Sequence, residues 1–255
     1  MKNALIGNTG FVGGSLSKQY SFNFLYNSKN INQIKNKKFD MVVCAGAPGK
    51  KWLANQKPSE DLESINNLIL NLKTIDCKKF ILISTVDVFS IPKNVNENTV
   101  IDKNNLLPYG LHRRILEQFV ETHFGNFIIV RLPGLVGPGL QKNIIYDFHN
   151  KNNLELIDTR NIYQFYSITN LMHDIKIALK NNLKLIHLTS EPISVKEVAE
   201  KGFDLNFENI TSNSIVEYNF ETAYGQLYNG IDKYQYSKKD CILSIREYAK
   251  SERLI

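Results

Sequence analysis

The chain reads as an α/β protein, a Rossmann-like doubly wound parallel sheet with a small α/β subdomain, and three observations predict it. Strand-length apolar runs alternate with stretches of helical periodicity through the first half. The first run breaks into a glycine-rich turn at the head of a helix. A third run, Val42-Val43-Cys44-Ala45, has the unbroken apolar pattern of a central strand covered on both faces. With 255 residues, 43% hydrophobic and 22% charged, the chain can bury one large core, alone or with an appendage.

The elements follow in order. Residues 3–6 predict a strand, 7–13 a glycine turn, and 11–20 a helix. A second strand is expected at 22–26 and a third at 39–45, with too few residues between them for a crossover helix. Leu62, Ile65, Leu68, Ile69 and Leu72 mark the apolar stripe of a helix over 61–76, which leads into a strand at 80–84. Pro108 suits the first turn of the next helix, whose buried face is Ile115, Leu116, Phe119 and Val120, and 127–132 is a further strand closed by Pro133-Gly134. Beyond Gly139 the pattern loosens to a helix at 171–179, a strand at 183–188, a capping box Ser194/Glu197 starting a helix to Gly202, and a terminal helix at 242–249. The first domain is thus 1–135, with 165–190 returning to it, and the subdomain is 136–164 with 191–255.

Composition excludes several classes of function. Cys44, Cys77 and Cys241 are odd in number and widely spaced, and His112, His123, His149, His173 and His187 are scattered, so neither a disulfide framework nor a metal site is expected. Cys44 is expected in the core, and His112 on the surface of its helix. The net charge of +6 comes from short separated lysine clusters without interleaved aromatics, which argues against nucleic acid. No apolar run approaches the ~20 residues of a membrane span. The early Gly7-Asn8-Thr9-Gly10 break leaves no signal-peptide core, so no membrane association and a cytoplasmic location are expected.

The turn Gly7-Asn8-Thr9-Gly10-Phe11-Val12-Gly13 lies where the first strand meets the first helix. Glycines there let the backbone turn sharply and approach a pyrophosphate, whose charge meets the free N–H groups and positive dipole end of the helix. At the end of the second strand a fold that prefers NAD usually places a carboxylate on the ribose hydroxyls. This chain has Asn27, Ser28 and Lys29 there, which suits a 2′-phosphate, so NADP is expected, with NAD left open.

Ser84-Thr85-Val86-Asp87-Val88-Phe89 and Pro108-Tyr109-Gly110-Leu111-His112-Arg113, taken with the glycine turn, Arg131-Leu132-Pro133, Gly137-Pro138 and Ser190 to Ser194, resemble the extended short-chain dehydrogenase/reductase family in its nucleotide-sugar branch of epimerases, dehydratases and 4-keto reductases. The resemblance implies that Tyr109 is the acid/base at a sugar carbon-oxygen group and that Thr85 hydrogen-bonds the same oxygen. It gives the fourth residue after the tyrosine the task of holding the nicotinamide ribose and lowering the tyrosine pKa. That residue is Arg113 here, where the family has lysine. By the same resemblance Ala45, Gly46, Ala47 and Pro133 join the cofactor site, and Asp87, Asn143, Gln164 and Tyr166 touch the sugar substrate. Val86 stands where some dehydratases carry half of an acidic pair, which argues against dehydration. The function expected is an NAD(P)-dependent oxidoreductase of a nucleotide-linked sugar, a 4-keto reductase by its tight second-to-third strand connection and Val88-Phe89. An epimerase that retains its nicotinamide and a catalytically silent cofactor-binding sensor or complex subunit stay open. A homodimer also stays open.

Overall fold

A computed structural model describes residues 1–230 and 232–253; residue 231 and residues 254–255, which the sequence assigns to the subdomain, lie outside them. The chain divides into two compact units, the first made of Met1–Ser90, Val100–Arg131 and Met172–Ile186, the second of Ile91–Thr99, Leu132–Leu171 and His187–Ile255. The sequence-expected return segment 165–190 is therefore split: Phe165–Ser167 pairs in parallel with Gly134–Val136 and stays with the second unit.

The first unit is built on a six-stranded sheet with strands β1 (Asn3–Ile6), β2 (Phe24–Tyr26), β3 (Lys38–Cys44), β4 (Asp76–Thr85), β5 (Phe127–Leu132) and β6 (Leu185–His187), in the order β6-β5-β4-β3-β1-β2. β1 runs parallel to both β2 and β3, and β3 parallel to β4. All four residues of β1 and all six of β5 are buried, as strands covered on both faces must be. The strand order reverses at β1, so the crevice beyond the carboxyl ends of β1 and β3 is the topological switch point of the sheet. The helices are α1 (Phe11–Gln19), α2 (Lys51–Gln56), α3 (Pro58–Leu72), α4 (Pro108–His123) and α5 (Leu171–Lys180). Pro58 and Pro108 each stand in a first turn, where the missing N–H costs nothing.

Two differences from the sequence reading have local causes. β4 starts four residues earlier than expected because Asp76–Lys79 continue in register with Lys38–Met41, where Cys77 packs against the core but stands alone among the polar Asp76, Lys78 and Lys79. α2 has too few residues to display a period, and no stripe announces it. The β2–β3 connection holds only a single turn at Ile31–Ile34, as its length requires. Cys44 is buried in the core.

Two contacts lock α4 against the sheet. A Cβ on Gly110 would meet the Asp87 carbonyl oxygen at 1.9 Å, so only glycine allows the helix to lie on the turn that follows β4. Lower on the same helix Glu117 is 0% exposed. Its carboxylate accepts the Ser84 hydroxyl at 2.6 Å, Arg131 at 2.9 and 2.8 Å, and Arg114 at 2.9 Å.

In the second unit Lys93–Val95 pairs with Asn219–Phe220, and Ile162–Tyr163 with Ile193–Ser194. The Ser194/Glu197 capping box is present, and the helix it opens passes into a wider π turn at Val198–Gly202. The terminal helix spans Lys238–Ser251, longer than expected, because Ser237 and Asp240 form a second capping box ahead of the apolar residues. Among the described residues no helix is long and apolar enough to cross a membrane.

Gly110→Ala is expected to destabilise the protein by about 2–3 kcal/mol in urea unfolding, since the added methyl meets backbone and cannot be accommodated by a rotamer. Glu117→Leu should cost about 3–5 kcal/mol by leaving Arg131 charged and unpaired in the core, and Glu117→Leu with Arg131→Met should recover most of that loss.

Candidate active site

Gly7, with φ of +87°, ends β1 in the left-handed region. Its N–H donates to the Tyr26 carbonyl at 2.7 Å, and a Cβ there would strike the Ala45 carbonyl oxygen at 2.3 Å. A Cβ on Gly13 would fall 2.0 Å from the Gly7 oxygen, so this glycine lets α1 pack on the turn. Gly10 differs: an added Cβ would only touch the Gly7 oxygen, at 3.4 Å, with none of the backbone overlap found at Gly7 and Gly13. Gly10 is the N-cap of α1, no side chain caps that end, and no acidic residue occupies the first turn, which includes Phe11, Val12 and Gly13. The N–H groups of this end are thereby left for an anion. Asn8, beside Thr9 in the turn, keeps a buried side-chain oxygen without a partner, a polar atom that a ligand's hydroxyl or amide would satisfy. These features fit a dinucleotide.

Around the turn, Ala45 donates its N–H to the Ile6 carbonyl at 2.9 Å, and a Cβ on Gly46 would press on the Ile6 side chain at 2.9 Å; Ala47 follows at the same end of β3. At the end of β2 the Asn27 side chain accepts the Lys29 N–H at 2.9 Å and the Asn27 N–H donates to Asn30 Oδ1 at 2.7 Å, which shapes the loop and leaves Ser28 and Lys29 exposed. Pro133 is buried in the second unit.

The carboxyl end of β4 carries Thr85, which accepts the Asp87 N–H at 3.2 Å and donates its hydroxyl to Asp87 Oδ2 at 3.1 Å. Ser84, one residue earlier and pointing the other way, is spent on Glu117. Tyr109 stands in the first turn of α4, its N–H donating to Asn55 Oδ1 of α2 at 2.9 Å, and Thr85 is among the groups that bear on its phenol. Burial pushes the Tyr109 pKa up; Arg113 pulls it down, Asp87 pushes it up, Thr85 and Lys51 pull it down, and the net result is a pKa above the ordinary value.

Arg113 is 3% exposed. Its guanidinium grips Asp61 through both nitrogens, reaches the Pro48 carbonyl and its own helix's Tyr109 carbonyl, and lies 4.0 Å over the centroid of the Tyr109 ring. His112 also faces Asp61, Nδ1 to Oδ2 at 2.7 Å, and is 5% exposed. The surface position expected for His112 is corrected: Asp61, more than fifty residues away in sequence, draws it inside. Asp87 pairs with Lys51, Nζ to Oδ1 at 2.5 Å. Lys51, Asn55 and Asp61 went unmarked in the sequence, since each looks like an ordinary surface polar residue until the helices are packed.

Three of the four residues expected to touch the substrate lie in the second unit. Asn143, φ of +98°, caps the helix Ile144–Asn150 through its oxygen and holds the Leu135 carbonyl through its amide at 2.8 Å. Gln164 is 1% exposed, donates to Thr189, Ser190 and Phe220, and accepts the Phe220 N–H. Tyr166 is fully buried against Tyr236. The expectation that Gln164 and Tyr166 touch a sugar is met by side chains turned inward to brace their own unit.

No curated protein matches the sequence. The fold is similar to a UDP-glucose 4-epimerase from Thermotoga maritima solved with UDP-glucose (12% identity, TM-score 0.74, 98% of each chain covered). It is also similar to a dTDP-4-dehydrorhamnose reductase from Bacillus anthracis solved with NADP (17%, 0.75, 99% of each chain). A third similar structure is the reductase of that name from Clostridium acetobutylicum (17%, 0.72, 98% of this chain and 99% of that one). Residues 20–181, more than half of the sequence, match the profile of the NAD dependent epimerase/dehydratase family, and the chain belongs to that family.

Proposed function

We propose that the protein is an NAD(P)-dependent oxidoreductase that reduces the keto carbon of a nucleotide-activated sugar, a 4-keto reductase, with Tyr109 as the proton donor. The observation that carries this reading is the half-buried Tyr109 at the head of α4, its ring 4.0 Å from the Arg113 guanidinium and its phenol held above the ordinary pKa by burial. A phenol whose ordinary pKa is near 10, raised further, keeps its proton throughout the neutral range. That state suits a donor to an oxygen gaining negative charge; an epimerase that opens by oxidising a hydroxyl would need the phenolate first.

The parallel strands bring the working groups to one edge of the sheet: the glycine turn after β1, Ala45-Gly46-Ala47 after β3 and Thr85 at the end of β4. Gly7 to Gly13 would hold a pyrophosphate, and Asn27, Ser28 and Lys29 would meet the adenosine ribose. The absence of a carboxylate among those three and the exposed Lys29 favour NADP, the cofactor found in the Bacillus anthracis reductase. Bound there, the nicotinamide would supply the hydride. Thr85 Oγ1 and Tyr109 Oη would share the sugar's carbonyl oxygen, and Tyr109 would deliver the proton as the alcohol forms, with Arg113 under the ring opposing the charge left on its oxygen.

NADPH at a hundred times its dissociation constant should stabilise the protein by about 2.7 kcal/mol, a rise in melting temperature of about 5–10 °C, with NADH giving less at equal concentration. Tyr109→Phe should keep that rise and lose about 10²–10⁴-fold in turnover of a 4-keto nucleotide hexose, followed by NADPH absorbance. Turnover of a nucleotide hexose without net NADPH consumption would assign epimerisation instead, and no turnover by either protein would leave a cofactor-binding sensor.

A further inference from the structure

Arg113 stands where relatives carry a lysine, but its hydrogen bonds are already used. Nη1 donates to Asp61 and, at 3.2 Å, to the Tyr109 carbonyl; Nη2 donates to the Pro48 carbonyl and, at 2.9 Å, to Asp61. The remaining donor, Nε, is buried without a partner. The guanidinium lies over the Tyr109 ring, 4.0 Å from its centroid, and Asp61 opposes its charge at close range. It is a fixed structural cation.

A second cation reaches the same centre from another element. Asn55 of α2 accepts the N–H of Tyr109 at 2.9 Å and so ties α2 to the head of α4. Lys51 is one turn earlier on that helix, on the same face as Asn55. Its ammonium sits 2.5 Å from Asp87 Oδ1, while Asp87 Oδ2 takes the hydroxyl of Thr85 at 3.1 Å. A polar chain therefore runs from Lys51 through Asp87 to Thr85, and all three bear on the Tyr109 phenol. Lys51 remains 43% exposed, in contrast to the sealed Arg113.

We infer that Lys51 is a positioning residue of this centre, the adjustable cation that takes over from the missing fourth-position lysine by holding Asp87 and Thr85 in place and offsetting the Asp87 charge beside the Tyr109 phenol. The groups that bear on that phenol are Arg113 from its own helix, Asp87 and Thr85 from the end of β4, and Lys51 from α2. Among them Asp87 alone works against ionisation, and Lys51 is paired with it. Loss of the ammonium removes one favourable charge and uncovers the unfavourable one, so both effects have the same sign.

The inference rests on Tyr109 as the acid/base, and its test needs no turnover, so the two can fail separately. Protein grown on 3-fluorotyrosine, whose phenol ionises at lower pH than that of tyrosine, gives ¹⁹F resonances that report each phenol's titration; the Tyr109 signal is the one lost in Tyr109→Phe. In Lys51→Met the Tyr109 midpoint should rise by about one unit or more. Lys51→Arg should keep it within a few tenths, and Asp87→Asn should lower it. A midpoint in Lys51→Met equal to that of the parent, or an equal rise in Lys51→Met and Lys51→Arg, overturns the inference. Circular dichroism checks folding, and Lys51→Gln replaces the Met variant should that one fail to fold.

Discussion

Glu117 has no access to solvent, and yet three elements share its charge. Ser84 comes to it from β4, Arg131 from β5 and Arg114 from its own helix. A carboxylate this deep is tolerable only when every oxygen is paired, so α4 cannot slide along the sheet or lift from it without stranding Glu117 or Arg131. Thr85 follows Ser84 on the strand, and Tyr109 lies about two turns up the helix from Glu117. The pairing that fixes Ser84 against Glu117 therefore also sets the distance between Thr85 and Tyr109. Gly110 completes the constraint by letting the helix backbone rest on the Asp87 carbonyl. The end of the first unit that carries Thr85 and Tyr109 depends on this buried pair for its register.

The glycine turn, β1, β3, β5 and the apolar stripes of α3 and α4 are legible in the sequence because burial of apolar surface leaves a period, and a period survives in one dimension. Thr85 and Tyr109 are legible only through their motif, since a strand-end threonine and a first-turn tyrosine carry no signal of their own. α2 leaves no trace: with six residues it has no period, and it is held in place partly by one side chain, Asn55, on another helix's N–H. Asp61, His112 and Arg113 are missed as a cluster for a related reason. Polar residues on two amphipathic helices look solvated until the helices meet. Gln164 shows the opposite failure. The resemblance places it on the sugar, whereas three carbonyl or hydroxyl acceptors within its own unit claim the amide.

The exchange of lysine for arginine at position 113 becomes intelligible beside Asp61. A buried carboxylate presents two oxygens in a plane, and a guanidinium meets both while still reaching the Pro48 and Tyr109 carbonyls. A lysine ammonium is a single compact charge and could not span that set. Arginine in turn gives up what lysine provides: it does not change its protonation in the working range, and once clamped it cannot turn toward a ribose or a phenol oxygen. On the inference that Lys51 positions this centre, a sealed arginine is the fixed cation and a half-exposed lysine on α2 the adjustable one.

That division bears on the direction of the chemistry. Arg113 is opposed by Asp61 and Lys51 by Asp87, so the charges nearest Tyr109 come in two pairs that largely cancel at a distance. What remains is the enclosure of the phenol, which disfavours its ionised form and leaves the pKa raised. A strong unpaired cation beside the hydroxyl would instead favour a resting phenolate, ready to accept a proton from a sugar hydroxyl. Two neutralised pairs keep the proton on Tyr109 until an oxygen that gains charge takes it. An acid becomes less effective the further its pKa rises above the working pH, so the cations that pull the value back matter to the rate. Under the proposed reading, such a centre holds its proton until a carbonyl oxygen that gains charge takes it.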